Sequence, residues 1–553
     1  MASICLVMNL LQSACSASVR PSDASMMADV STTLADPQPP RSIAPLSTAG
    51  VTQRRPTLRW ALAAGTEGAH VQICRDRACA TEIARFDASG TSGAPTADLP
   101  AGVVFWRAYG RAGSVTGTRP GTTWEFTVGA ASAAGPDTSW GSTLDLNGDG
   151  FVDVVVGAPY TMQPWGAAYV FLGSAHGVGV APSIVLPARL TRLLRVASAG
   201  DVDGDGFADL LVDETVYLGG VAGPSPERIV TLPGAAMAIG DFNGDGYADL
   251  ISDDTATGTM RLIAGSEHGP VAAPAGMLNV ASDGLPVGGD FDGDGFGDVA
   301  LVGRGHIDVY RGNAMGIAGT ATITVATDLA ITHSTAASAG DVDSDGRADL
   351  ITGESNGVAH YFAGSDLASG TPRDTTLIGS VASGVPGTGF IAAASAGDVN
   401  ADGFADVILG VPSASEAGPM GTTGGAMLFL GSAAGPIATP AQRIVGQAGN
   451  FGAFGISVLG VGDVDGDGFG DVLIGATTTQ EQAGFAYVYT GNPTGLGATP
   501  ATTIVGVEEF SDFGLTVARW MPAYDAAGAP SRASTRWRTP RGARHAPEHA
   551  EGV

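Results

Sequence analysis

The chain has 553 residues, of which 83 are glycine and only 15% are charged, a composition that excludes a long helical or coiled-coil protein and points to many turns. Its net charge of -28, from 27 basic and 55 acidic residues, makes nucleic acid and anionic membrane poor partners and a multivalent cation a good one. With 44% apolar residues it can still bury a sizeable core.

In chain order, an apolar run at residues 4–11 is too short to span a bilayer and is followed by Ser13, Ala14 and Cys15. Residues 1–15 resemble a bacterial lipoprotein signal, which implies lipidation at Cys15 and export to the cell envelope, outer surface or medium. The alternatives are a misplaced start or no signal at all, since no positive charge precedes the run. Residues 16–43, rich in Ser, Ala, Asp and Pro, read as a flexible tether. Cys74 and Cys79 are close enough in sequence to pair across a short loop in an oxidising compartment. A zinc site is not expected, because no second Cys or His pair follows at a suitable distance.

Residues 44–130 show short alternating strands at 57–60, 69–74, 103–109 and 124–128, separated by turn residues as in a β-sandwich. The stretch resembles a fibronectin type III domain, with Trp60 on an early strand and Phe105, Trp106 and Tyr109 on a late one. No catalytic grouping occurs in it.

From residue 139 a nine-residue acidic motif recurs seven times, beginning at Asp145, Asp201, Asp241, Asp290, Asp341, Asp398 and Asp463. Successive copies start 40 to 65 residues apart, which suits the blades of a β-propeller and excludes a nine-residue β-helix. Oxygens at positions 1, 3, 5 and 9, with the carbonyl of position 7, can surround one hard cation, and calcium accepts such a flexible oxygen set. The expected ligands are Asp145, Asn147, Asp149, Phe151 and Asp153 in the first loop, and Asp201, Asp203, Asp205, Phe207 and Asp209 in the second. Asp241, Asn243, Asp245, Tyr247 and Asp249 form the third, and Asp290, Asp292, Asp294, Phe296 and Asp298 the fourth. Asp341, Asp343, Asp345, Arg347 and Asp349 form the fifth, Asp398, Asn400, Asp402, Phe404 and Asp406 the sixth, and Asp463, Asp465, Asp467, Phe469 and Asp471 the seventh. Up to seven Ca²⁺ are therefore expected. An EF-hand is excluded, because its Glu at position 12 is replaced by Val156, Val212, Ser252, Leu301, Thr352, Leu409 and Ile474.

An apolar strand before each loop and three after it give four strands per repeat, the third regularly ending in Gly. Seven such repeats predict a seven-bladed β-propeller preceded by a small β-sandwich, an all-β chain. With Phe454-Gly455, Gly475-Ala476 and Gly157-Ala158-Pro159, residues 139–519 resemble FG-GAP/VCBS-type repeats, the family that builds the integrin α-subunit propeller. Two departures are Arg347 at a carbonyl position and the short first strand before Asp145. Residues 513–518 start a further repeat, and residues 520–553 read as a basic irregular tail or a frameshifted end.

The resemblance implies a calcium-binding, monomeric surface or secreted protein used for adhesion or for protein or glycan recognition, with contacts on the face opposite the loops. Tyr160 and Trp165 are the candidate ligand-face residues. The alternative is a lectin or a non-catalytic module of a polysaccharide-active protein. No enzyme is expected, because the eight His are scattered and every recurrent acid is explained by the cation loops. A membrane enters only through the lipid anchor.

Overall fold

Between Arg41 and Ser142, alternation of apolar and polar side chains builds two sheets around one core. In Leu58–Ala61, Leu58 and Trp60 are buried and Arg59 is exposed, as a pleated strand with one inward face requires. This strand lies between Arg41–Ala44 and Ser92–Gly93. The second sheet runs in the order Ser139–Ser142, Ala49–Val51, Trp124–Val128, Gly102–Ala112, Gly68–Cys74, Glu82–Ser89, with Val115–Pro120 paired to Gly102–Ala112. Trp60, Val71, Ile73, Trp106, Trp124 and Phe126 fill the space between, and the rings of Trp106 and Trp124 meet edge to face at 6.3 Å. Among the strands not foreseen in the sequence are two beside Gly68–Cys74 and Gly102–Ala112. Glu82–Ser89, an edge strand, carries as many polar as apolar side chains and buries none of them fully, and Val115–Pro120 pairs only with Gly102–Ala112.

The computed structural model describes residues 36–517, apart from 48, 52, 130–138, 143, 160–165, 188–194, 255–258, 272–275, 279–283, 330–334, 355–357, 372, 374, 379–391, 413–423, 447–451, 479–482, 507–512 and 515. The signal with Cys15, most of the tether, Tyr160, Trp165 and the tail from 520 lie outside the described residues. The described residues from Pro37 onward belong to one compact unit. Among them only Gly364–Ser369 is α-helical, and no helix is long and apolar enough to cross a membrane.

The rest is β-propeller architecture: seven four-stranded antiparallel sheets among the described residues, one for each acidic motif. The second is typical, running Val196–Gly200, Asp209–Val212, Thr215–Tyr217, Ile229–Thr231, with the loop joining its first two strands. Neighbouring sheets pack face to face and share cores. Ile408 and Leu428 of the sixth, for example, meet Val458, Val472 and Tyr487 of the seventh.

Two strands lie across the boundaries expected from the sequence. Ser139–Ser142, placed at the start of the repeats by the sequence reading, pairs instead with Ala49–Val51. Arg41–Ala44, placed at the end of the tether, is already a strand. The first sheet therefore takes its inner strand from the other end of the chain, as Thr516–Val517 pairs with Gly157 and Val156 of Val154–Ala158. Phe513, 2% exposed, sits 5.6 Å from the Tyr169 ring and 6.5 Å from Phe171. Residues of repeats one, two and seven thus share a single core with Phe513.

Candidate metal centre

Each acidic loop follows one hydrogen-bonding plan, set by the spacing of its aspartates. In loop seven the Asp463 carboxylate accepts the N–H groups of Gly466, Asp467 and Gly468 at 2.6, 3.0 and 2.8 Å. Asp465 accepts Asp467 N–H at 3.2 Å, and Asp467 accepts Phe469 N–H at 3.0 Å. Asp471 accepts Val464 N–H through one oxygen and Gly491 N–H through the other, both at 2.9 Å. Loop one repeats the plan with Asp145, Asn147, Asp149 and Asp153. Short carboxylates folded back onto their own backbone in this way hold a tight turn.

The last aspartate explains the glycine that ends each third strand. Gly173, Gly219, Gly265, Gly312, Gly364, Gly431 and Gly491 each donate their N–H to it at 2.7–2.9 Å. A Cβ on any of them would lie 2.3–2.4 Å from a backbone oxygen of the loop. The sequence displayed this glycine but not its partner.

Backbone bonds also tie the loops to one another. Ala208, Ala248, Gly297, Ala348, Ala405 and Gly470 each donate N–H to the carbonyl of the first aspartate of the preceding repeat at 2.8–3.1 Å. Val152 donates to the Asp463 carbonyl at 3.4 Å, and Ser174 to that of Val464 at 3.3 Å, so the belt also joins repeat one to repeat seven. Side chains at position 7 reinforce it: a Cβ on Gly148 would lie 2.9 Å from the Phe207 ring, and one on Gly244 would lie 2.6 Å from Phe296. Arg347, a departure in sequence, takes the same place over Gly293 and donates to the Asp292 carbonyl at 3.1 Å.

The electrostatics of the loops suit a cation. The first and last aspartates are almost wholly buried in most loops, at 0% and 1% exposure for Asp145 and Asp153 and 5% and 0% for Asp398 and Asp406. Burial, opposed by backbone N–H groups and reinforced by neighbouring aspartates, pushes first-position carboxyls up to about 6 in Asp145 and Asp463 and about 7 in Asp241, Asp290 and Asp341. It pushes last-position carboxyls up to about 8 in Asp153, Asp349, Asp406 and Asp471 and about 9 in Asp298. Buried carboxylates this close are costly without a compensating positive charge.

Oxygens of Asp201, Asp203 and Asp209 lie within 4.8 Å of one another, as do those of Asp290, Asp292 and Asp294, of Asp341, Asp343 and Asp349, and of Asp463, Asp465 and Asp471. An all-oxygen, carboxylate-rich set of this kind fits a hard divalent cation. These are the four loops that carry four carboxylates; in loops one, three and six an Asn replaces the second acid, and its amide donates to the third acid at 2.9 Å.

Arginines touch three of the four-carboxylate loops. Arg228 reaches Asp203 and Asp205 at 3.0 and 3.1 Å, Arg311 reaches Asp292 at 3.1 Å and Arg347 reaches Asp345 at 3.0 Å. Loop seven has no such arginine among the described ion pairs. Arg228 and Arg311 were not legible in sequence, because each lies outside the motif. Cys74 and Cys79 form a disulfide with Cα atoms 5.1 Å apart.

Residues 110–212 and 290–352 match the FG-GAP-like repeat, and residues 233–252, 390–426 and 454–489 match the FG-GAP repeat. The chain is similar to integrin alpha pat-2 of Caenorhabditis elegans, 31% identical over 252 residues, which is 40% of this chain and 19% of that protein. It is 30% identical over 174 residues to integrin alpha-8 of Mus musculus, 31% of this chain and 16% of that protein. It therefore spans less than a fifth of the length of these curated relatives. A solved protein structure from Lactobacillus plantarum overlaps 66% of this chain and 98% of its own at 13% identity, with a TM-score of 0.41, too loose a likeness to carry an argument.

Proposed function

We propose that this FG-GAP repeat protein, similar over part of its length to integrin alpha subunits, is a calcium-loaded, seven-bladed β-propeller exported from the cell for adhesion or for recognition of a protein or glycan. The observation that carries the reading is the belt of seven acidic loops, hydrogen-bonded to one another and holding buried carboxylates that lack enough positive charge of their own. Asp145, Asn147, Asp149, Asp153 and the Phe151 carbonyl, with their counterparts in the other six loops, would hold the ions. Bound calcium would neutralise the carboxylates and fix the turns that connect neighbouring blades.

The seven loops hold 25 of the 55 acidic residues, so seven divalent ions would offset half of the net charge. The disulfide is of a kind that persists outside the cytosol, and residues 44–130 serve as a fibronectin type III-like β-sandwich ahead of the disc. With the acids accounted for as cation ligands, no catalytic role is assigned. Ligand contacts are placed on the face away from the loops, with Tyr160 and Trp165 as candidates.

The test is binding of the full chain to arrayed extracellular-matrix proteins and glycans, with calcium and with EDTA. Calcium-dependent retention on at least one surface, reduced by Trp165→Ala, is expected. Turnover of a polysaccharide substrate would point to a different activity.

A further inference from the structure

The N-terminal β-domain sits on the acidic loops themselves, and a single arginine makes the closest set of contacts. Arg77 lies in the turn closed by the Cys74–Cys79 disulfide. That turn is held by Cys79 N–H to the Asp76 carbonyl at 2.8 Å, and by the Asp76 carboxylate, which accepts Ala80 and Thr81 N–H at 2.8 Å. From it the Arg77 guanidinium donates to the carbonyl of Gly204, position 4 of loop two, at 3.0 Å and to that of Gly246, position 6 of loop three, at 2.9 Å. It also pairs with Glu125 at 2.9 Å, lies 4.3 Å over the Tyr247 ring and is 5.5 Å from that of Phe105. Its side chain is 19% exposed and that of Glu125 only 3%, so the contact is largely dry. A guanidinium, planar and always charged, spreads five donors over a rigid fork and so reaches two carbonyls and a carboxylate from different nitrogens, whereas a lysine would have to meet all three from one ammonium nitrogen.

Other contacts extend the seat over loops one to four. Ser47 donates to the Gly246 carbonyl at 3.1 Å. Arg41 donates to the Asp294 carbonyl and lies 4.6 Å over the Phe296 ring. A methyl group on Gly246 would lie 2.4 Å from the Thr123 carbonyl oxygen, and one on Gly150 would lie 2.8 Å from Gly102 N. Gly50, Val51, Thr127 and Gly129 of the same domain help line an axial cavity of about 430 Å³ whose wall includes Ala197, Ala238, Val287, Ala337, Ala394 and Gly460 of the inner strands. The domain thereby forms part of the cavity wall.

We propose that the Cys74–Cys79 turn is a latch that couples docking of the N-terminal domain to cation occupancy of loops two and three. The proposal rests on the calcium reading of the loops, since the carbonyls that Arg77 grips belong to turns whose shape the ion fixes. With the ions bound, the two carbonyls are held where the guanidinium can take both. Without them the loops relax under carboxylate repulsion and the grip weakens. Coupling of this kind is reciprocal: whatever the ions add to docking, docking adds to ion affinity.

Hydrogen–deuterium exchange on the full chain, with and without calcium, tests this alongside titration calorimetry. Calcium is expected to slow exchange in the loops and also in residues 68–81 and 122–128 of the N-terminal domain, which contain none of the loop ligands. Arg77→Ala is expected to abolish the second effect, to keep the calcium stoichiometry and to weaken two of the sites by about fivefold or more. Arg77→Lys, which keeps the charge but not the fork, should fall short in the same way, and Arg85→Ala should behave as the parent.

If the parent binds calcium but exchange in residues 68–81 and 122–128 does not respond, the latch is overturned and the calcium reading stands. Parent affinities in both Arg77 variants would overturn it as well. If the parent binds no calcium, the functional reading fails and takes the latch with it.

Discussion

Loop seven allows the ligand role of an aspartate to be separated from its structural role. Asp467 is exposed and accepts one N–H, that of Phe469, inside its own turn. Asp471 is fully buried and accepts Val464 and Gly491 N–H at 2.9 Å each. Asp467→Ala should therefore remove a cation ligand and little else. Asp471→Ala removes a ligand and also strands two buried donors, at about 1–3 kcal/mol each, so a loss of about 2–6 kcal/mol is expected. Urea denaturation in EDTA at pH 6 isolates the structural part, because no ion contributes and the Asp471 carboxyl, pushed up to about 8, is protonated. Under these conditions Asp467→Ala should unfold within about 0.5 kcal/mol of the parent, while Asp471→Ala unfolds well below it. In calcium each variant should bind one ion fewer. Equal stability of the two variants in EDTA would refute the assignment of the last aspartate as the tie to the third strand.

Three further outcomes follow from the same geometry. Burial raises the first- and last-position carboxyls in the cation-free fold, so the stability they give is full below the ordinary value of 3.8 and is lost as pH rises through about 6 to 9. The melting temperature in EDTA should accordingly fall between pH 5 and pH 9, and a flat profile by calorimetry would contradict it. Ala401 occupies position 4 of loop six with φ of 57°, where five of the other loops have Gly and loop five has Ser344 at the same φ. Ala401→Gly should therefore stabilise the chain by up to about 1 kcal/mol in urea melts. Phe513→Ala should cost about 3–5 kcal/mol and hasten hydrogen exchange in Val154–Ala158, because Phe513 helps hold the closing strand against repeat one.

What the sequence made legible was what is local along the chain. The seven loops could be read because their donors lie within nine residues, and the strands flanking them because β-branched runs alternate with glycine turns. Two of the four strands of repeat six, for example, fall on the apolar segments around Val407 and Ile444. Contacts between distant residues could not be read. Thr516 pairs with Gly157 across some 360 residues, and only the similarity of Phe513-Gly514 to other repeat starts hinted at it. Arg77 and Glu125 looked like ordinary residues of a small β-domain, since nothing in their neighbourhood indicates that loops two and three lie above them. Arg347 looked like a defect because the role of position 7 is to cover the preceding loop, and its long stem does that as an aromatic ring does elsewhere.

The acidic belt, on the proposed reading, is a set of calcium sites and not a ring of ordinary turns. Titration calorimetry of the chelator-stripped full chain with calcium tests it most directly. A stoichiometry near seven is expected, with affinities of about 10⁻⁴ to 10⁻³ M if the loops behave as extracellular calcium modules do. A stoichiometry of one or two, or no heat of binding at millimolar calcium, would contradict it.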